Sequence, residues 1–322
     1  MKTALVTGAG GFIGGHLVAR LKEKYNVVAV DLKPFDKWYQ VNPEVENLCL
    51  DLNSYDNCLR ATSNVDLVFH LACNMGGMGF IELHKAACMM SVIPDTYMLK
   101  ASVENNVEKF LFTSSACVYP KSLQSSTENI PLREDMVYPA DSEDGYGWEK
   151  LFIERMCRHF TEDFGIETRV ARFHTIYGPV GTWQGGREKA PAALCRKIIE
   201  AKYFDKNEIE IWGDGEQTRS FLYVDDCVDG ILTLFDSNFK YPLNIGSEVS
   251  YSINQMVDII ENHAEIKVNR KYILDAPLGV RGRNSDSTQL KSMGWYEKND
   301  LQSGLIKTYN WIEKQFKSFH NL

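Results

Sequence analysis

The sequence predicts an α/β protein in which a doubly wound parallel sheet is followed by a smaller carboxyl-terminal ligand-binding subdomain. Three observations predict it: an apolar strand runs into a glycine-rich turn at the amino terminus; strand-length apolar runs alternate with helical stretches; and the texture turns Gly-rich and charged after Tyr177-Gly178-Pro179. In chain order, residues 2–7 read as a short buried strand, and Gly8-Ala9-Gly10-Gly11-Phe12-Ile13-Gly14 follows at once. Gly8 suits the tight turn, Gly11 a close backbone approach to a diphosphate, and Gly14 close packing of the next helix on the sheet. Residues 12–24 carry helical apolar spacing, and a second strand, 27–30, ends at Asp31. A carboxylate there accepts hydrogen bonds from ribose hydroxyls and repels a 2′-phosphate, which favours NAD over NADP.

Residues 65–72 and 109–114 read as two further buried strands, and the helical stretch between them is interrupted by Pro94, where a kink or a fresh helix start is expected. Residues 146–164 read as a long helix and 167–173 as the next strand. Beyond residue 177 come a charged loop, a helix over 190–202 and short strands around 209–212. The expected division is a Rossmann-like dinucleotide domain over 1–174 and a mainly substrate-binding subdomain over 175–322, with 222–246 returning to the main sheet. No internal repeat or low-complexity segment is seen.

With 322 residues and 44% hydrophobic content, the chain can bury one large core or two modest ones. A formal charge of −8 and the lack of a long Lys/Arg run argue against nucleic acid or anionic membrane as the main partner. The eight cysteines, at 49, 58, 73, 88, 117, 157, 195 and 227, have no C-x-x-C spacing, and no paired histidines point to a metal site. They read as reduced thiols of a cytoplasmic protein. Met1 lies too close to the first strand for a signal peptide, and no apolar run is long enough to span a bilayer.

Tyr146 and Lys150 are four apart and share a helix face. A nearby ammonium and a positive nicotinamide ring both favour a phenolate, so the tyrosine can take a hydroxyl proton while hydride leaves for the cofactor. Ser115 falls at the carboxyl end of its strand, where open α/β sheets place ligands, and would hold the reacting oxygen.

Gly8-x-x-Gly11-x-x-Gly14, Asp31, Asp51-Leu52, His70-Leu71-Ala72, Ser115 and Tyr146-x-x-x-Lys150 resemble the extended short-chain dehydrogenase/reductase superfamily over essentially the whole chain. Four further segments, Met75 to Ile81, Ser114-Ser115-Ala116-Cys117, Gly185 to Ala193 and Gly279 to Asp286, resemble its GDP-mannose 3,5-epimerase family. The resemblance implies transient oxidation of hexose carbon 4, inversion at carbons 5 and 3, and return of the hydride. A ketone at carbon 4 acidifies both neighbouring carbons, and inversion then needs a base on one face and an acid on the other. By resemblance these are Cys117 and Lys189.

The resemblance also implies that Gly8, Gly11, Phe12, Ile13, Gly14, Asp31, Asp51, Leu52, Leu71 and Ala72 hold NAD together with Tyr146 and Lys150. It implies a GDP-sugar contacted by Gly76, Ser115, Thr175, Glu188, Lys189, Lys197, Gln217, Thr218, Arg219 and Arg283, with Arg281 as a possible addition, and a homodimer formed through two helices per subunit. The chain departs from the family at Thr175, where Phe-His-Asn-x-Tyr-Gly-Pro usually puts an asparagine. An epimerase of a related GDP- or other NDP-hexose, including a 4-epimerase, stays open, as do a GDP-4-keto-sugar epimerase/reductase and a nucleotide-sugar binder without turnover.

Overall fold

The computed structural model describes residues 1–128 and 130–322. β1 (Thr3–Thr7) leads through the glycine turn into α1 (Phe12–Leu21), then β2 (Asn26–Asp31), β3 (Glu46–Cys49), α2 (Tyr55–Thr62) and β4 (Leu67–His70). Three helices, α3 (Met78–Leu83), α4 (Lys85–Met89) and α5 (Val92–Glu104), precede β5 (Lys109–Ser115). Next come α6 (Asp144–Phe164), β6 (Glu167–Phe173), β7 (Thr175–Tyr177), α7 (Ala190–Tyr203), β8 (Glu208–Trp212), β9 (Thr218–Tyr223), α8 (Val224–Asp236) and β10 (Leu243–Ile245). The chain ends with β11 (Ser250–Ser252), α9 (Ile253–Ala264), β12 (Asn269–Ile273), β13 (Gly282–Arg283), α10 (Thr288–Ser292) and α11 (Leu301–His320).

Seven strands pair in parallel in the order β10-β6-β5-β4-β1-β2-β3. The alternation of side chains along each strand feeds two cores. Ala4, Val6, Phe69, Leu111 and Ala171 pack on the layer of α1 and α8, while Leu5, Val68, Phe110, Phe112 and Val170 pack on that of α2, α5 and α6. A strand apolar on both faces can only sit in such a sandwich, so the unbroken runs 65–72 and 109–114 become central strands. Pro94 falls in the first turn of α5, where its missing amide hydrogen has no helical partner to lose; it marks a fresh start, not a kink.

The chain order reverses between β1 and β4, whose last residues Thr7 and His70 lie side by side. That reversal opens a crevice beyond the carboxyl ends of the strands, the usual ligand position in such sheets. Beyond the main sheet, β11, β9 and β13 form a small sheet in that order, with β7 paired to β9, and β12 pairs with β8. Among the described residues no helix is long and apolar enough to cross a membrane.

Candidate active site

The glycine turn is shaped by close approaches that no side chain would allow. Gly8 has φ +68°, and a methyl group on it would lie 2.9 Å from the Ala72 amide nitrogen. On Gly14 it would lie 2.2 Å from the Gly8 carbonyl oxygen, so α1 can pack against the turn only with glycine there. Gly11 caps α1 and donates its own amide to Gly8 (3.0 Å), leaving the helix amino terminus with no side chain over it. Asp31 ends β2 beside this turn, with Oδ1 accepting the Lys33 amide at 3.0 Å. A cradle lacking Cβ atoms, a helix amino terminus and a strand-end carboxylate fit a dinucleotide diphosphate and ribose.

The other expected cofactor residues surround this region in different ways. Leu71 and Ala72 donate their amides to Thr7 Oγ1, each at 3.1 Å. Leu52 is buried, while Asp51 is exposed and caps the Asn53 amide at 3.0 Å. Phe12 is turned against Gly178 and Gly181, and Ile13 packs on the core beneath.

Ser115 ends β5, and its Oγ accepts the Cys117 amide at 3.2 Å, which fixes the tight turn carrying the thiol. The start of α6 is pinned to the same turn: Glu143 donates its amide to the Cys117 carbonyl at 2.9 Å, and Gly147 lies so close that a methyl group there would be 2.3 Å from that oxygen. Cys117 and Tyr146 therefore share one buried cluster.

Lys189 caps the amino terminus of α7, on a loop clamped to the segment after β4. Gly77 donates to the Arg187 carbonyl at 3.0 Å, and Arg187 stacks 3.8 Å over the Phe80 ring while bonding Asn74 Oδ1 at 3.0 Å. Burial lowers the Lys189 ammonium below the ordinary lysine value, and the Cys117 thiol group is near enough to oppose that shift electrostatically. An ammonium so depressed is a better proton donor near neutrality.

Two guanidinium groups complete the constellation. Arg283 Nη1 lies 3.8 Å from Cys117 Sγ, with Nε on Gln124 Oε1 and Nη2 paired to Glu143. Arg219 donates to the carbonyls of Thr218 (2.7 Å), Leu278 (3.2 Å) and Val280, and meets no carboxylate among the described residues. Burial lowers it to about 10. A half-buried guanidinium held only by carbonyls suits an anion. A cavity of about 350 Å³ opens beside these groups, lined in part by Met78, Gln124, Glu143 and Gly279. Gln217 donates to the Trp212 carbonyl at 2.8 Å and leaves its Oε1 buried without a partner; Thr218 and Thr175 sit on the paired strands β9 and β7.

Several expected residues are engaged by other partners, although Arg281 also lines the cavity. Glu188 accepts from Arg196 (3.1 Å) and the Gly186 amide (2.7 Å), Lys197 donates to the Glu210 carbonyl (2.6 Å), and Arg281 forks onto Asp214 at 2.7 and 2.8 Å. Gly76 faces the Phe80 side chain.

Tyr146 also departs from the simple expectation. Burial raises its phenol well above the ordinary value, and Lys150 only partly offsets this. The reason is that Lys150 is already engaged by buried carboxyl groups, with Nζ 3.3 Å from Asp95 and 3.4 Å from Glu149. Neither acid was singled out in the sequence, where Asp95 follows Pro94 in a helix of weak amphipathic pattern and Glu149 is one letter inside the Tyr-x-x-x-Lys spacing.

Residues 4–246 match the model of the NAD dependent epimerase/dehydratase family. The chain is 46% identical over 315 residues to "GDP-mannose 3,5-epimerase 1" of Oryza sativa subsp. indica, covering 97% of this chain and 82% of that one. It is 44% identical to "GDP-mannose 3,5-epimerase" of Arabidopsis thaliana over the same shares. A solved UDP-glucose 4-epimerase from Thermotoga maritima shares the fold at TM-score 0.87 and 24% identity, over 98% of this chain and 99% of that one. A diphosphate cradle at the switch point, a Ser-Tyr-Lys set beside it and these long matches agree that the chain belongs to the NAD dependent epimerase/dehydratase family, alongside its GDP-mannose 3,5-epimerases.

Proposed function

We propose that the protein epimerises a GDP-hexose, GDP-mannose foremost, at carbons 5 and 3 through a transient ketone at carbon 4, giving GDP-L-galactose, GDP-L-gulose or both. The observation that carries this reading is that Cys117 is within electrostatic reach of Lys189 while it shares a turn with Ser115 and a buried cluster with Tyr146. A 4-epimerase needs only the last two with Lys150; a thiol facing a depressed ammonium adds a base and an acid. NAD, when bound in the glycine cradle, supplies the acceptor and donor of hydride at carbon 4.

Residues 1–174 would hold NAD and 175–322 mainly the sugar nucleotide. Ser115 Oγ orients the carbon-4 oxygen, and Tyr146 Oη takes its proton and later returns it. Lys150 steadies the phenolate. Once carbon 4 is a ketone, the hydrogens on its neighbours are acidic; Cys117 Sγ removes one, and Lys189 Nζ delivers another from the opposite side. Arg219 binds the diphosphate, and Arg283 holds the thiol side of the pocket.

The test is incubation with GDP-mannose in deuterated water without added reductant. Deuterium at carbons 5 and 3 with no net NADH is expected; retention of both carbon–hydrogen bonds sinks the proton-transfer reading. Cys117→Ser should reduce bound NAD slowly and lose most exchange, and unchanged exchange would remove Cys117 from the mechanism.

The protein is further read as a cytoplasmic homodimer. Supporting the dimer, Met89, Met90, Trp148 and Phe152 of the segment from α4 to α6 are exposed. Phe152→Glu should give monomers in sedimentation, and a wild-type monomer would end this reading.

A further inference from the structure

Lys150 is 1% exposed and its neighbour Asp95 fully buried, so the protons in this cluster can be counted from hydrogen bonds. Thr7 Oγ1 accepts the amides of Leu71 and Ala72, which leaves its hydroxyl hydrogen for His70 Nδ1 at 2.8 Å. This arrangement suits a neutral His70 with its proton on Nε2, donated to Asp95 Oδ1 at 2.8 Å. Asp95 Oδ2 receives Lys150 Nζ at 3.3 Å, so Asp95 has two donors and suits a carboxylate.

Glu149 is different. It is 2% exposed, and neither of its oxygens has a hydrogen-bond partner of good geometry, with Lys150 Nζ at 3.4 Å from Oε2 and Asp95 adjacent. Two carboxylates beside one ammonium would leave an uncompensated buried negative charge, and Glu149 lacks the donors an ionised carboxylate needs. A carboxylic acid needs only one acceptor, and Asp95 is there to serve.

We propose that Glu149 is a positioning residue that stays protonated at neutral pH, donating its proton to Asp95 and so fixing Lys150 beside Tyr146 in a cluster of zero net charge. This deepens the assignment of Tyr146 and Lys150 and rests on it. Burial is the largest cause holding Glu149 far above the usual carboxylate range; Lys150 opposes it and Asp95 reinforces it. Besides those two, the titratable groups facing the cluster are Tyr146 and Cys157 on its own helix, Cys117 in the turn after β5, Cys73 after β4, Cys88 on α4, and His70 behind Asp95. None of them is a cation. When Glu149 ionises at alkaline pH, its new negative charge disfavours the Tyr146 phenolate, and the hydride half-reaction slows.

The first measurement needs no substrate. Infrared spectra of the purified protein at neutral pH should contain the C=O stretch of a protonated carboxyl group that moves when glutamate is labelled with carbon-13 at its side-chain carboxyl. The band should vanish in Glu149→Gln. No such band in the wild-type protein overturns the proposal whether or not any variant folds, and so does a band that persists in Glu149→Gln.

The second measurement follows reduction of bound NAD against pH in the Cys117→Ser background, where Lys189 has no part. Glu149→Ala should lower the rate about tenfold, Glu149→Gln should restore most of it and abolish the alkaline decline, and equal declines in both backgrounds refute the role. An infrared band without any epimerisation would keep the proton on Glu149 while removing the proposed substrate chemistry.

Discussion

Gly147→Ala tests whether the distance between the thiol turn and α6 is what makes proton abstraction work. The added methyl group would stand 2.3 Å from the Cys117 carbonyl oxygen and 3.0 Å from its carbon, and it must open to at least ~3.0 Å from the oxygen, a shift of about 0.7 Å. Neither partner yields easily, because the Cys117 carbonyl also holds the Glu143 amide at 2.9 Å and Ser142 Oγ is tied to the Val118 carbonyl at 3.0 Å. Overpacking of this size costs about 1–3 kcal/mol of stability. A misplacement near 1 Å costs on the order of a hundredfold in rate, so a loss of about ten- to a hundredfold in kcat is expected. The assay is deuterium wash-in at carbons 5 and 3 by NMR, with thermal unfolding and the slow reduction of bound NAD measured on the same sample. Exchange should fall further than NAD reduction, because Cys117 moves relative to the sugar. A folded Gly147→Ala protein with wild-type exchange would refute the idea that this contact positions the thiol.

Arg219→Met should raise KM for the nucleotide sugar about ten- to a hundredfold, the worth of one or two charge-assisted bonds, while leaving NAD binding measured by fluorescence intact; unchanged KM would take the diphosphate away from this residue. Arg281→Met should leave KM alone, since its guanidinium is already forked onto Asp214. That hydrogen bond holds the Asp214 carboxyl down at about 2. A depressed acid contributes stability above its unfolded value, and this contribution is lost as pH falls toward about 2. Because the pair is half-exposed, the loss on Arg281→Met should stay under about 1 kcal/mol in urea unfolding at neutral pH and vanish in acid. A Lys189→Met protein should keep the carbon-4 redox step, read as transient NADH absorbance, and lose inversion by at least about a hundredfold.

The dinucleotide half was legible because its constraints are local. Gly8, Gly14 and Asp31 act through a turn, a helix contact and a strand end that all lie within one sequence window. The placement of Ser115 at a strand end and of Tyr146 and Lys150 one turn apart on a helix was legible as well. The rest depends on what the fold brings near. Arg281 and Arg283 stand two apart in one charged segment, yet Asp214 claims one and Cys117, Gln124 and Glu143 surround the other. Glu188 and Lys197 look equally available in the sequence but have partners supplied by Arg196 and the β8 backbone. The expected effect of Lys150 on Tyr146 was incomplete for the same reason: Asp95 arrives from α5, whose sequence signals only a helix start. The edge strands β3 and β12 also lacked a strong pattern, since neither has a fully buried residue.

The clamp between residues 74–80 and 185–189 bears on how such a site can be transplanted. Gly77 lies so close to the Glu188 carbonyl oxygen that a methyl group there would stand 2.5 Å from it, and Arg187 rests on Phe80. Lys189 thus takes its place from a stretch of chain that contributes no acid or base of its own. Grafting a cysteine and a lysine into a plain 4-epimerase would import the proposed base and acid without the loop contact that places the lysine. The inheritable unit is the pair of loops, and a protein engineer would have to move both or gain nothing.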